Sequence, residues 1–175
     1  MFYNRFEVKI LKEKKMKKKI ALFVATFFGA GLAKKAPGTF GSLATLPLAF
    51  LLAYFFGFNG LIYATIAVFI IGTAAVYFAT KGEKETDPGK IVIDETAGQL
   101  TSFLLVAPHL YHVFNLKAIF IYLLGFALFR FFDIVKMGPV KWADTKIKNA
   151  FGVMLDDVFA GIFAALVLML ITQRL

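Results

Sequence analysis

Five of the eleven acidic residues in this 175-residue chain stand at the ends of apolar stretches. They are Asp94 and Glu95 in IVIDETAG, Asp133 in FRFFDIVK, and Asp156 and Asp157 in GVMLDDVFAG. Carboxylates are costly to keep beside hydrocarbon, so acids in such places are read first as functional. The chain has no cysteine and only two histidines. A site built from these five groups therefore offers hard oxygen ligands and suits Mg²⁺. All five are candidate catalytic and metal-ligating residues. Arg130 and Lys136 flank Asp133 and bring a guanidinium fork that can hold a phosphate bidentately and an ammonium point charge. Upstream, Thr39 and Ser42 lie in KAPGTFGS, which is expected to be a turn leading into a helix, with backbone N–H groups and hydroxyls open to an anion.

Each group also has a plainer reading. Asp94-Glu95 and Asp156-Asp157 open apolar stretches, where a helix N-terminus favours negative charge. Asp133 ends one, where the dipole disfavours an anion, and its plain partner is Arg130 three residues earlier. Lys136 is an ordinary loop lysine in the plain reading. His109 and His112 fall in the connection opposite the acids and are expected to be interfacial.

The positioning elements follow from hydropathy. Apolar residues make up 59% of the chain and charged residues 18%, more apolar and less charged than soluble domains. Apolar stretches cover residues 20–33, 43–56, 61–79, 96–113, 118–132 and 158–172. A helical span needs roughly 20 residues; the third and fourth stretches are long enough, and the first, with fourteen residues between Lys19 and Lys34, is too short. Lysines crowd the first, third and fifth connections, including Lys34, Lys35, Lys81, Lys84, Lys90, Lys141, Lys146 and Lys148. The connection at residues 57–60 has no charge and that at 109–117 has one lysine. By the positive-inside rule the lysine-rich connections are cytoplasmic. The fold expected is all-α: an integral membrane helical bundle of about five crossings plus a short N-terminal re-entrant or interfacial helix. A cleaved signal peptide is the rival reading of the first stretch.

The net charge is +9, but eight of the twenty basic residues precede Ile20. That placement points to anionic membrane headgroups, not to nucleic acid. Phe2, Phe6 and Ile10 recur every four residues, the spacing of an amphipathic helix lying in the interface. Residues 1–19 are thus read as a basic amphipathic segment and 20–175 as one membrane-embedded catalytic domain. The oligomeric state is left open.

Four ordered blocks, KAPGTFGSL, IVIDETAG, FRFFDIVK with the downstream Pro139, and GVMLDDVFAG, run from residue 31 to 161. Together they resemble the phosphatidylglycerophosphatase A family of bacterial membrane lipid phosphatases. The resemblance implies Mg²⁺-dependent removal of the terminal phosphate of phosphatidylglycerophosphate at the inner membrane, with the site facing the cytoplasm. It carries the family's acidic positions onto Asp94, Glu95, Asp133, Asp156 and Asp157, and its basic ones onto Lys35, Arg130 and Lys136. One departure is Met137-Gly138, where the family has a proline soon after the lysine. No histidine lies in the motif blocks, which argues against histidine-dependent lipid phosphatases. No DxD or DGxxAR occurs either, against the haloacid dehalogenase and CDP-alcohol transferase types. The rival from another class is an ion or proton transporter, which would need its carboxylates in mid-span.

Overall fold

A chain in lipid must close its backbone hydrogen bonds within each segment, and every regular element among the described residues is helical. The computed structural model describes residues 2–83 and 88–174, with side chains from Glu7. The side chains of Phe2 and Phe6, and the whole of Lys84, lie outside the described residues. The α-helices are α1 (Phe2–Ala25), α2 (Pro37–Thr80), α3 (Ile93–Ser102), α4 (Ala107–Leu110), α5 (Leu116–Val135), α6 (Pro139–Lys146) and α7 (Ala150–Thr172).

Lysine and glutamate are good helix formers, so the basic cluster does not end a helix. α1 runs unbroken through Lys19 into the apolar stretch, and the sequence boundary between a basic segment and a separate short helix falls inside one element. Ala21 and Ala25 pack on Ala75, Val76 and Ala79 of α2. The chain then turns through Phe27, Phe28 and Gly29, all at positive φ, and the Ala25 carbonyl accepts the Val92 N–H at 2.9 Å.

α2 is two helices joined at Gly57, whose φ of 56° and ψ of −140° interrupt the helix. That backbone is accessible to glycine at little cost. Gly41 abuts Val92 while Gly72 abuts Ile93, so the two arms double back around the start of α3. At a rise of about 1.5 Å per residue, arms 37–56 and 58–80 are each about 30 Å or longer. α2, α5 and α7 are long and apolar enough to cross a membrane.

The fourth apolar stretch departs from expectation. α3 stops at Ser102, a 3₁₀ turn covers Leu104–Val106, and α4 is a single turn begun at Ala107-Pro108. Thr96, Gln99, Thr101 and Ser102 are all buried, with the Thr101 hydroxyl donating to the Ala97 carbonyl and the Ser102 hydroxyl to that of Gln99. A broken, polar helix is tolerated at membrane depth only inside protein, and α3 is enclosed by α2, α5 and α7. Below it, Leu100, Phe103, Val106, Leu110, Ile121 and Leu168 form an apolar core. Gly98 of α3 and Gly161 of α7 meet backbone to backbone, where a Cβ on Gly161 would strike the Gly98 carbonyl. This close approach of small residues brings together the helices that carry Asp94-Glu95 and Asp156-Asp157.

Candidate active site

α3 begins after Val92, which offers no side-chain cap, so Asp94 and Glu95 fall in its first turn. Asp94 Oδ1 accepts the Glu95 N–H at 3.0 Å, as the helix-terminus reading expects. α7 is different. Its cap is Asn149, which accepts from the N–H groups of Phe151 and Gly152, so Asp156 and Asp157 lie about 10 Å into the helix. They do not open it, and capping does not explain them. One oxygen from each of Asp94, Glu95 and Asp157 lies within 4.8 Å of the others. Asp157 is 3% exposed, and Glu95 Oε2 is buried without a hydrogen-bond partner. Carboxylates gathered and buried in this way repel one another unless a cation joins them.

Asp133 occupies the last turn of α5 and is buried. Arg130 Nη1 lies 2.6 Å from Asp133 Oδ2 and 3.7 Å from Glu95 Oε1. The salt bridge expected along α5 is therefore present, and the same guanidinium reaches across to α3. Arg130 Nε is buried without a hydrogen-bond partner.

Lys136 Nζ donates to Asp144 Oδ1 at 2.8 Å and to Asp156 Oδ2 at 3.0 Å. Burial works against its charge, but those two carboxylates outweigh it and hold the ammonium above the ordinary lysine range. Lys136 caps α5 with φ 47° and ψ 65°, a left-handed position where glycine is the usual choice. A lysine kept there at a backbone cost points to use of the side chain. In the Met137-Gly138 departure, Gly138 takes φ 53° and ψ −120° and Pro139 starts α6. Asp144 lies outside the four sequence blocks. Its one signal was being the only acid among the lysines of residues 136–149.

The PGTFGS stretch is the first turns of α2, not a loop. Pro37 takes the first helical position after Ala36, which is left-handed and has no capping side chain. Proline lacks the N–H that would go unused there, so helix starts where glycines suggested a turn. Gly38 faces the Glu95 carboxylate and Arg130 with no room for a Cβ. The uncapped end of α2 thus abuts the cluster. Thr39 is half-buried two residues into the helix, Lys35 is exposed just ahead of it, and Ser42 is buried with its hydroxyl donating to the Gly38 carbonyl at 2.9 Å. Ser42 spends its proton on its own helix. His112 sits at the other end of the bundle, its N–H donating to the Tyr54 carbonyl.

Sequence comparison agrees with this geometry. The family model for phosphatidylglycerophosphatase A matches residues 23–172. Phosphatidylglycerophosphatase A of Haemophilus influenzae is 39% identical over 155 residues, which cover 86% of this chain and 90% of that one. A protein of Bacteroides thetaiotaomicron named a putative phosphatidylinositol-3-phosphatase is 33% identical over 83% of this chain and 89% of its own length. Phosphatidylglycerophosphatase A of Escherichia coli is 29% identical, over 81% and 77%. No solved structure matches the chain. The family match spans all four sequence blocks and every carboxylate gathered at this end of the bundle, and the chain belongs to the phosphatidylglycerophosphatase A family.

Proposed function

We propose that the chain is a Mg²⁺-dependent phosphatase that hydrolyses phosphatidylglycerophosphate to phosphatidylglycerol and phosphate in the bacterial cytoplasmic membrane. The observation that carries the metal is the meeting of Asp94, Glu95 and Asp157 within 4.8 Å, with Glu95 Oε2 buried and unbonded. An all-carboxylate donor set fits a hard divalent ion. Asp94, Glu95 and Asp157 would hold it, while Asp133 and Asp156 complete the acidic wall beside Arg130 and Lys136. When bound, the ion supplies Lewis-acid polarisation of a phosphoryl oxygen and an acidified water.

The remaining steps belong to the chain. Arg130, Lys136 and the uncapped α2 amides at Gly38 and Thr39 face the phosphoryl oxygens, where positioning and charge do most of the catalysis. The Thr39 hydroxyl and Lys35 meet the phosphate from its exposed side, and Ser42 steadies the α2 end. Water attacks phosphorus, the bond to the glycerol oxygen breaks, and that oxygen leaves with a proton. The lysines of α1 meet anionic headgroups at the same membrane face. A transporter is disfavoured because the acids gather at one end of the bundle, above an apolar core.

The test is phosphate release by purified, detergent-solubilised protein. Activity on phosphatidylglycerophosphate is expected to vanish in excess EDTA and to return with Mg²⁺. A full rate in metal-free buffer overturns the metal, and no release with any divalent ion overturns the substrate reading. The Bacteroides relative makes phosphatidylinositol 3-phosphate the second substrate to assay.

Orientation is tested separately, since the chain has no cysteine of its own. Single cysteines at the exposed positions Lys146 and Asn59 are expected to react with an impermeant maleimide from the cytoplasmic and outer sides, respectively. Reaction of both from one side refutes the five-crossing arrangement.

A further inference from the structure

A second charged feature lies away from the carboxylate cluster, on the opposite side of the second arm of α2. Lys14, Lys17 and Lys18 of α1 and Lys81 at the end of α2 surround a cavity of about 350 Å³ floored by Phe78. Directly beneath it, sharing Lys17 and Phe78, runs an apolar slot of about 370 Å³ between Ile20, Ala21 and Val24 of α1 and Ile71, Ala74 and Ala75 of α2. Lys18 is paired with Glu83 at 2.6 Å, and Lys81 lies over the Tyr77 ring. Lys14 and Lys17 have no acidic partner among the described residues.

The two cavities form one groove, cationic at its upper end and apolar along its length. From Lys14 to Val24 the groove follows α1 for about 15 Å. A soluble anion would use the lysines and leave the slot bare. A hydrocarbon chain would use the slot and leave clustered lysines uncompensated. A molecule with a phosphate at one end and an acyl chain at the other satisfies both. We infer that this groove is a non-catalytic binding site for an anionic phospholipid of the surrounding leaflet, with its phosphate on Lys14, Lys17 and Lys81 and an acyl chain between α1 and α2. The site is more specific than general attraction of a basic helix to a charged surface, because it draws on particular lysines and on apolar side chains beneath them.

The experiment uses the full chain in nanodiscs of phosphatidylcholine doped with phosphatidylserine, which is neither substrate nor product of the phosphatase reading. Lipid retained after transfer to detergent is counted by native mass spectrometry. The unmodified chain is expected to retain one phosphatidylserine. Replacing Lys14, Lys17, Lys18 and Lys81 together by Gln is expected to weaken retention by at least about tenfold. Replacing Lys9, Lys12, Lys15 and Lys19 by Gln removes the same charge elsewhere on α1 and is expected to leave retention intact. Ala74→Phe, at an exposed position that opens into the slot, keeps every charge and is expected to lose the lipid. Equal loss from both lysine variants overturns the site, as does unchanged retention in Ala74→Phe. Competition by soluble glycerol phosphate as effective as that by the lipid also overturns it. Asp157→Asn is expected to retain phosphatidylserine normally, so failure of the phosphatase reading leaves this result untouched. Melting temperatures recorded in parallel identify any variant that fails to fold.

Discussion

Asp157→Asn is expected to lower turnover on phosphatidylglycerophosphate by at least about 1000-fold, a loss of about 4 kcal/mol in transition-state stabilisation. Asp157 is the one carboxylate that α7 contributes to the three-way meeting with α3. The amide has nearly the same volume, so the close α3–α7 packing survives. The charge does not, and an NH₂ group then faces the place of a cation. Without metal the variant is expected to melt no lower than the parent, because one of several crowded buried anions has been removed. Addition of Mg²⁺ should raise the melting temperature of the parent and not that of the variant, since only binding to the folded state stabilises it. Initial rates and melting curves with and without Mg²⁺ check both parts. A near-parental rate, or an undiminished Mg²⁺ shift, removes Asp157 from the site.

Asp133→Asn is expected to cost about 100-fold or more in turnover, and Arg130→Lys should follow the same direction. Asp133 holds a negative charge at the end of α5, where the helix dipole opposes it. It does so with Arg130 at 2.6 Å, and that guanidinium also reaches toward Glu95 at 3.7 Å. A lysine offers one point charge in place of the planar fork and cannot serve both carboxylates with the same geometry. If the pair merely tied α5 to α3, both variants would lower the melting temperature and leave the rate per folded molecule nearly unchanged. Rates normalised to folded protein separate the two roles. Parental turnover in Asp133→Asn would confine this residue to structure.

The family was legible because four local blocks stand in order along the chain, three of them carrying the acids, and the order is specific where a single block is not. What stayed hidden depended on where helices end. Hydropathy marks where a chain meets lipid, and helices run past that level. Asp156 and Asp157 read as the opening of a segment because their charges interrupt the apolar run, yet Asn149 caps the helix two turns earlier. α1 likewise ignores the change from lysine to isoleucine at residue 20. The PGTFGS stretch reads as a turn because glycine and proline signal turns on average, while here proline occupies the one helical position that suits it. Asp144 was unreadable in a different way. Its partner Lys136 belongs to another element, and the two meet only because Gly138 bends the chain between α5 and α6.

The enclosure of α3 also bears on how the protein is made. Its buried Thr96, Gln99, Thr101 and Ser102 gain little from contact with lipid, so the segment has no comfortable resting place alone in a bilayer. The helix that meets it through Gly98 and Gly161 is α7, which leaves the ribosome after all the others described. Until α7 arrives, α3 lacks one wall, and Asp94 and Glu95 lack the carboxylate that completes their group. Biosynthesis and completion of the site therefore coincide: a nascent chain stalled before residue 150 is an incomplete bundle and lacks one of the three gathered carboxylates.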